Sequence, residues 1–264
     1  MKYTYLFNTM IALLCAVSFS SCERDVLGCI RGEGPAVTES RSISGFTKVD
    51  MQGDAEITIV EDTGFSVILD GQQNIIDNLR LNVDGEILVI RQRHCVRHKS
   101  NLNIRIHMPS VREIILNGSS NIHVFKTNNN NLPTSKYAIN GSGNITVNGD
   151  ILATNLYANI NGSGKLDLNA KVMWCSFNIN GSGKIICEGS TNSADNFITG
   201  SGKIQTFNYL AKDSYVKISG SGNAEVNVSD NLDVDITGSG NVKYRGWPKV
   251  NSHISGSGSV EHEN

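Results

Sequence analysis

The sequence predicts an all-β solenoid, a coil of stacked rungs with strand walls, and two observations carry that prediction. The first is the tripeptide Gly-Ser-Gly, which recurs seven times between residue 141 and the end of the 264-residue chain, after a worn copy at Gly118-Ser119-Ser120. Its first glycines are Gly141, Gly162, Gly181, Gly200, Gly220, Gly238 and Gly256; counted from Gly118 the spacings are 23, 21, 19, 19, 20, 18 and 18 residues. That period belongs to stacked repeats. The second is the alternation around each copy. An aliphatic residue stands two positions before every first glycine (Ile139, Ile160, Ile179, Ile198, Ile218, Ile236, Ile254) and another four after it (Ile145, Leu166, Ile185, Ile204, Ala224, Val242, Val260). Polar Asn, Thr, Ser or Lys fill the positions between, so both flanks read as strands meeting at a corner.

One such coil cannot bury its apolar wall alone. Successive coils must therefore stack strand on strand, at about 4.8 Å per rung, and identical positions then form ladders. A tight bend with positive φ, stacked against the same bend above and below, leaves no room for a Cβ, which is the structural reason for glycine there. Phosphate binding is the competing reading, because Lys165, Lys184 and Lys203 each follow a Gly-Ser-Gly. It fails on spacing: Leu166, Ile185 and Ile204 stand where a P-loop needs Ser or Thr, and Asn159, Asn178 and Phe197 stand where it needs an earlier glycine. No strand-to-helix unit surrounds any copy, which excludes a dinucleotide fingerprint. The periodic aspartate of calcium-binding nonapeptide repeats is also missing.

Taken in order, the chain opens with Lys2, an apolar run over about residues 5–19, and Ser20-Ser21 before Cys22. The run is short for a membrane span and has the small-residue boundary of an export signal. It resembles the lipobox of bacterial lipoproteins, in the serine-containing form common in Bacteroidetes. That resemblance implies a signal peptide over residues 1–21, cleavage before Cys22 and acylation of Cys22, with the membrane as a partner through that lipid. An ordinary cleaved signal followed by a cysteine is the other reading; on both, the mature chain leaves the cytoplasm, and on the lipoprotein reading it stays in the cell envelope, at the outer membrane.

Residues 22–40 are polar and glycine-containing and read as a tether. From residue 41 the chain becomes strand-rich. Strands are expected at 46–51 and 55–60, flanking a corner at Gln52-Gly53-Asp54 that looks like a diverged early copy of the repeat, and again at 65–69. Residues 72–79 are the one plausible short helix, with Ile75, Ile76 and Leu79 on one face. A hairpin with an Asp84-Gly85 turn joins 81–83 to 86–90. The apolar runs 102–106 and 114–116 then lead into the regular repeats, 118–260.

Four features in this order resemble one known family. They are Cys29-Ile30-x-Gly32-x-Gly34, Arg41-x-Ile43-x-Gly45-Phe46-x-x-Val49, the hairpin ending Asp84-Gly85-Glu86-Ile87-Leu88, and the tandem Gly-Ser-Gly units. The family is the one named "putative auto-transporter adhesin, head GIN domain", and the resemblance covers residues 41–258. It implies an exported Bacteroidetes-type lipoprotein whose domain, 41–264, is a single-stranded right-handed parallel β-helix. It transfers no catalytic or binding residue.

Beyond Cys15 in the signal and Cys22, four cysteines remain. Cys175 and Cys187 lie six residues either side of Gly181, at phases that other copies fill with Leu, Ala, Val or Thr, and read as buried thiols. An export compartment permits a disulfide between Cys29 and Cys95, although neither spacing nor sequence requires it. Arg91, Arg93, His94, Arg97, His98 and Lys99 crowd around Cys95 and read as a solvated loop; a metal site at His94, Cys95 and His98 lacks a further convergent ligand, so no metal is expected. His107 and His123 are placed on solvent faces of strands.

Function then divides into three classes. A net charge of −2 over the full chain gives no global pull toward nucleic acid, and 6% aromatic residues is low for reading bases by stacking. The first class, an adhesin-like surface module, presents polar ladders to a glycan or protein partner, and Lys165, Lys184 and Lys203 are its candidate contacts for an acidic polymer. They stand beside Asn161, Asn180 and Thr199, and Ser163, Ser182 and Ser201. The second is a passive structural envelope protein. The third, a β-helix carbohydrate-active enzyme, is disfavoured because the loops are short and Asp150, Asp167, Glu188, Asp195, Asp213, Glu225, Asp230, Asp233 and Asp235 sit at scattered phases rather than as one pair. No cofactor is expected. The outer edge of the last rung, guarded by Glu261, His262 and Glu263, invites self-association.

Overall fold

The computed structural model describes residues 29–97, 102–126 and 131–264. The signal, Cys22, His98 and Lys99 therefore lie outside the described residues. Among the described residues nineteen strands form one continuous sheet. In the N-terminal part these are β1 (Ala36–Arg41), β2 (Lys48–Gly53), β3 (Glu56–Glu61), β4 (Ser66–Gln72), β5 (Leu79–Asp84), β6 (Ile87–Gln92), β7 (Asn103–Met108), β8 (Glu113–Gly118) and β9 (Asn121–Phe125). One short helix, α1 (Gln73–Asp77), lies between β4 and β5. The regular part comprises β10 (Leu132–Gly141), β11 (Asn144–Asn148), β12 (Ile151–Gly162), β13 (Lys165–Gly181), β14 (Lys184–Gly200), β15 (Lys203–Gly220), β16 (Asn223–Gly238), β17 (Asn241–Arg245), β18 (Lys249–Gly256) and β19 (Ser259–His262). The predicted all-β solenoid is the fold observed.

Parallel pairing holds identical phases in register. Gly118, Gly141, Gly162, Gly181, Gly200, Gly220, Gly238 and Gly256 stand directly on one another. Gly53 extends this ladder by pairing with Gly118, which establishes β2 and β3 as the diverged copy that the sequence suggests. Stacking does not follow chain order here: the β2–β3 rung is inserted between the β6–β7 pair and the β8–β9 pair. Inward positions, such as Ile139, Ile160, Leu166, Ile185, Ile204 and Ile236, are fully buried in a continuous apolar column. Each contributes about 2 kcal/mol of transfer free energy.

At the N-terminal end the parallel pattern stops. β5 lies antiparallel to β6, β4 antiparallel to β7, and β1 antiparallel to β4. Ile75 and Ile76 of α1 are buried beneath this cap. The helix is shorter than the 72–79 stretch because Leu79 already begins β5. The hairpin loop is Gly85-Glu86 rather than Asp84-Gly85: Asp84 pairs with Ile87, and Gly85, at φ 60°, supplies the left-handed first turn residue. The tether reading of residues 22–40 is corrected at its C-terminal end, since 36–41 form β1 and Cys29 is tied into the fold.

Candidate functional site

The corners come first, because they set every ladder. The first glycine of each copy has φ between 113° and 145°, and its N- and C-terminal neighbours continue the parallel hydrogen bonding through the bend. Ser163 N–H donates to Gly141 O at 3.0 Å, Ser182 to Gly162 O at 2.9 Å and Ser201 to Gly181 O at 2.9 Å. A Cβ on Gly200 would lie 2.6 Å from Gly181 O. The second glycine is needed for a different reason: it points inward, and a Cβ on Gly183 would lie 2.6 Å from Ile160 Cγ2 of the preceding rung. Both glycines are thus consumed by geometry, and the N–H groups of the serine and of the lysine that follows are taken by the rung before.

On the strand that follows the corner, Lys165, Lys184 and Lys203 stack in register. They interrupt a ladder that is mostly amide: Glu56, Asn121 and Asn144 precede them, and Asn223, Asn241 and Ser259 follow, so only the two ends depart from Asn. The amides bond rung to rung, Asn144 Nδ2 to Asn121 Oδ1 at 2.8 Å and Asn241 Nδ2 to Asn223 Oδ1 at 3.2 Å. Carboxylates answer two of the lysines. Lys165 Nζ lies 2.8 Å from Asp167, and Lys203 pairs with Glu225. Burial alone would raise the Glu225 carboxyl, but hydrogen bonds from Gln205 and Lys203 outweigh it and hold the group below its ordinary value. Lys184 is exposed and has no carboxylate at ion-pair distance among the described residues.

The strand that precedes the corner carries a second set of ladders. Five residues before successive first glycines stand Tyr157, Ser176, Asp195, Tyr215, Asp233 and Asn251. Seven before stand Trp174, Ser193, Asp213, Asn231 and Lys249. Between the two rows runs a groove of about 770 Å³, lined by Ser193, Asp195, Asp213, Tyr215, Asn231, Asp233, Lys249 and Asn251. Asn231 Nδ2 donates to Asp213 Oδ1 at 2.6 Å, and Asn251 Nδ2 to Asp233 Oδ1 at 3.1 Å. Phe197 packs edge-on against Tyr215, with centroids 5.9 Å apart, and Trp174 does the same against Tyr157 at 5.3 Å. Three of the acidic residues that look scattered along the chain, Asp195, Asp213 and Asp233, are gathered on one face by the register, whereas Asp167 and Glu225 lie on the strand after the corner. The sequence signal for this was available in the backward count from each first glycine.

The remaining candidates resolve as structure. Cys29 and Cys95 form a disulfide, which removes Cys95 from any metal set with His94. Cys175 and Cys187 are free and buried; burial pushes the Cys175 thiol up to about 12 and raises Cys187 well above its ordinary value. Neither is a thiolate at neutral pH. His107 contacts Asp62 at 3.2 Å, and His123 is exposed. A buried ion pair, Lys126 Nζ to Glu61 Oε1 at 2.6 Å, sits where Glu61 also accepts the Val111 N–H at 2.9 Å, and joins rungs rather than facing solvent. Among the described residues no group of three or more His, Cys, Asp or Glu is arranged to hold a metal ion, and no helix is long and apolar enough to cross a membrane.

Comparison with known proteins agrees with this geometry. The family model described as "Putative auto-transporter adhesin, head GIN domain" matches twice, over residues 45–136 and 134–248. No curated protein matches the chain. Among solved structures, a putative adhesin from Parabacteroides merdae superposes with a TM-score of 0.83 at 22% identity, covering 90% of this chain and 100% of that one. A putative adhesin from Parabacteroides distasonis gives 0.80 at 22% identity, over 89% and 99%. A protein from the same organism described as a putative lipid binding protein gives 0.79 at 25% identity, over 89% and 99%.

Proposed function

The chain belongs to the head GIN domain family of putative auto-transporter adhesins, and from that membership we propose a non-enzymatic, adhesin-like module of the cell envelope. In this reading it is an outer-membrane lipoprotein held by acyl chains on Cys22 and engages a glycan or protein partner along its rung-repeated faces. The observation that carries the reading is the repetition itself. Polar side chains recur at the same outward phases rung after rung, like on like at Lys165, Lys184 and Lys203, so the molecule offers periodic contacts to an extended partner, and the described residues show no convergent catalytic constellation.

Lys165, Lys184 and Lys203 are the contacts for an acidic polymer in this reading. Because Asp167 and Glu225 compensate two of them, Lys184 supplies the uncompensated charge. Adhesion assays on intact cells with and without the gene, together with protease accessibility of the displayed domain, test the adhesin role. Full protection from protease and equal adhesion without the gene would leave the passive structural alternative. Converting all three lysines to Gln is expected to abolish retention on an acidic polysaccharide matrix at low salt with the fold unchanged. Equal retention of both proteins would remove the lysine row from the binding surface.

A further inference from the structure

The groove on the strand before the corner has a different chemistry from the lysine row, and it points to a different ligand. We propose that it binds an uncharged, hydroxyl-rich polysaccharide segment laid along the solenoid axis; the inference rests on the adhesin reading and names the ligand class and its site.

The first argument is spacing. The lining rows step through four consecutive rungs, from Ser193 to Lys249, which is three steps of about 4.8 Å or roughly 14 Å of repeated surface. A polymer of small, similar units running in that direction meets the same kind of group at each step. A compact ligand would use one rung and leave the rest of the groove unoccupied.

Hydrogen-bond chemistry is the second. A sugar hydroxyl donates one bond and accepts others, so its partner needs donors and acceptors side by side. The Asn231–Asp213 and Asn251–Asp233 bonds supply that pairing. Each bond fixes an amide against a carboxylate, leaving the second carboxylate oxygen as acceptor and the second amide N–H as donor. Discrimination is sharp in such sites, because a ligand without hydroxyls leaves these groups unpaired.

Third is the ring. Tyr215 sits in the same ladder as Asp195 and Asp233, one rung from each. It is half-buried and braced by the edge contact from Phe197. An aromatic face fixed between two hydroxyl-binding carboxylates offers an apolar platform to the C–H face of a sugar ring, while its phenol stays within the polar row.

Charge selects among polymers. Asp195, Asp213 and Asp233 outnumber Lys249 in the lining, so an acidic polysaccharide is repelled. A basic peptide would satisfy the carboxylates too, but its binding would rest on charge and fall with salt, which a neutral polymer's would not.

The test uses the full-length gene product purified in detergent, probed with dextran, mannan and galactan, with heparin as the acidic probe and polylysine as the basic one. Binding of at least one neutral polysaccharide is expected, unchanged up to about 0.5 M salt. Tyr215→Ala is expected to weaken it about tenfold or more, and Asp233→Asn, which keeps the side-chain shape, to weaken it measurably; the lysine triple variant leaves it intact. The isosteric variant keeps the test decisive if Tyr215→Ala unfolds. Neutral binding that survives both groove variants would overturn the proposal, as would failure to bind any neutral polysaccharide. Binding of polylysine that collapses with salt and is lost in Asp233→Asn would overturn it in favour of a basic partner. None of these outcomes touches the adhesin reading, which stands or falls on adhesion by intact cells.

Discussion

Each corner contains two glycines that the chain needs for two separate reasons, and substitution distinguishes them. Gly200 has φ 113°, a region closed to β-branched residues, and its Cβ would meet a backbone carbonyl that has no freedom to move. Gly200→Val is expected to cost about 1 to 3 kcal/mol. At Gly183 the backbone is not left-handed; a Cβ there would meet the Ile160 γ-methyl at 2.6 Å and the Gly164 carbonyl at 2.9 Å, the carbonyl less closely than the 2.6 Å contact at Gly200. Gly183→Ala should therefore cost less than Gly200→Val, about 1 kcal/mol. Denaturant unfolding of both variants checks the order; an unchanged midpoint in Gly200→Val would show that the bend is not held as described. The tripeptide spelled out this corner in the sequence, since only glycine is compatible with a repeated bend of that kind. Asn196 gave no such sign: it occupies an inward phase, filled by Phe177 and Val216 in neighbouring rungs, and is buried with a bond to Ser214 at 3.1 Å.

At the scale of elements, regular strands were legible because alternation and register are both written in the repeat period. The N-terminal cap was only half legible. β1 is polar and mostly exposed, so it shows no alternation to distinguish it from a tether. It is held instead by partners far away in sequence: Thr38 Oγ1 donates to Asp70 at 2.6 Å, and Arg105 reaches the same carboxyl at 2.8 Å. The Thr38 bond and then the Arg105 guanidinium hold Asp70 below the ordinary value of 3.8. Their stabilisation is accordingly present above that value and is lost as pH falls through the lower, folded one. The Cys29–Cys95 bridge closes a separation of 66 residues around this cap. Loop-closure entropy assigns such a crosslink about 4 kcal/mol in the unfolded chain, and native disulfides typically deliver about 2 to 4. Cys95→Ser is expected to lower unfolding stability by that amount and to raise proteolysis first at residues 29–41. Equal thermal midpoints with and without reductant would show that the bridge leaves the cap unaffected.

Over the whole molecule, the ends differ more than the faces do. The N-terminal end finishes on the antiparallel strands β1 and β5, which carry Glu39, Arg41, Arg80 and Asp84. The last described rung has a bare parallel edge. There Trp247 is 86% exposed, and Val250 and Ile254, at phases that are buried in every earlier Gly-Ser-Gly rung, are 37% and 38% exposed. What guards this edge is the final tetrapeptide. His262 stacks on Trp247 with centroids 4.7 Å apart, and Glu263 bonds Lys243 at 2.9 Å and donates its N–H to Tyr244 O at 2.8 Å. Deleting residues 261–264 removes that cover and two negative charges together, so the truncated chain is expected to self-associate. The state it reaches is also constrained. Because the capped end offers no matching parallel edge among the described residues, head-to-tail growth into a filament is disfavoured, and the contact is expected to be isologous. Antiparallel pairing of two β18 strands about Ser252 sets Val250 of each copy against Ile254 of the other, inward phase against inward phase. Sedimentation of the truncated protein should therefore show a dimer that does not extend with concentration. A strictly monomeric truncation would mean that the edge is guarded by something besides the tetrapeptide, and open-ended polymers would mean that the capped end also pairs.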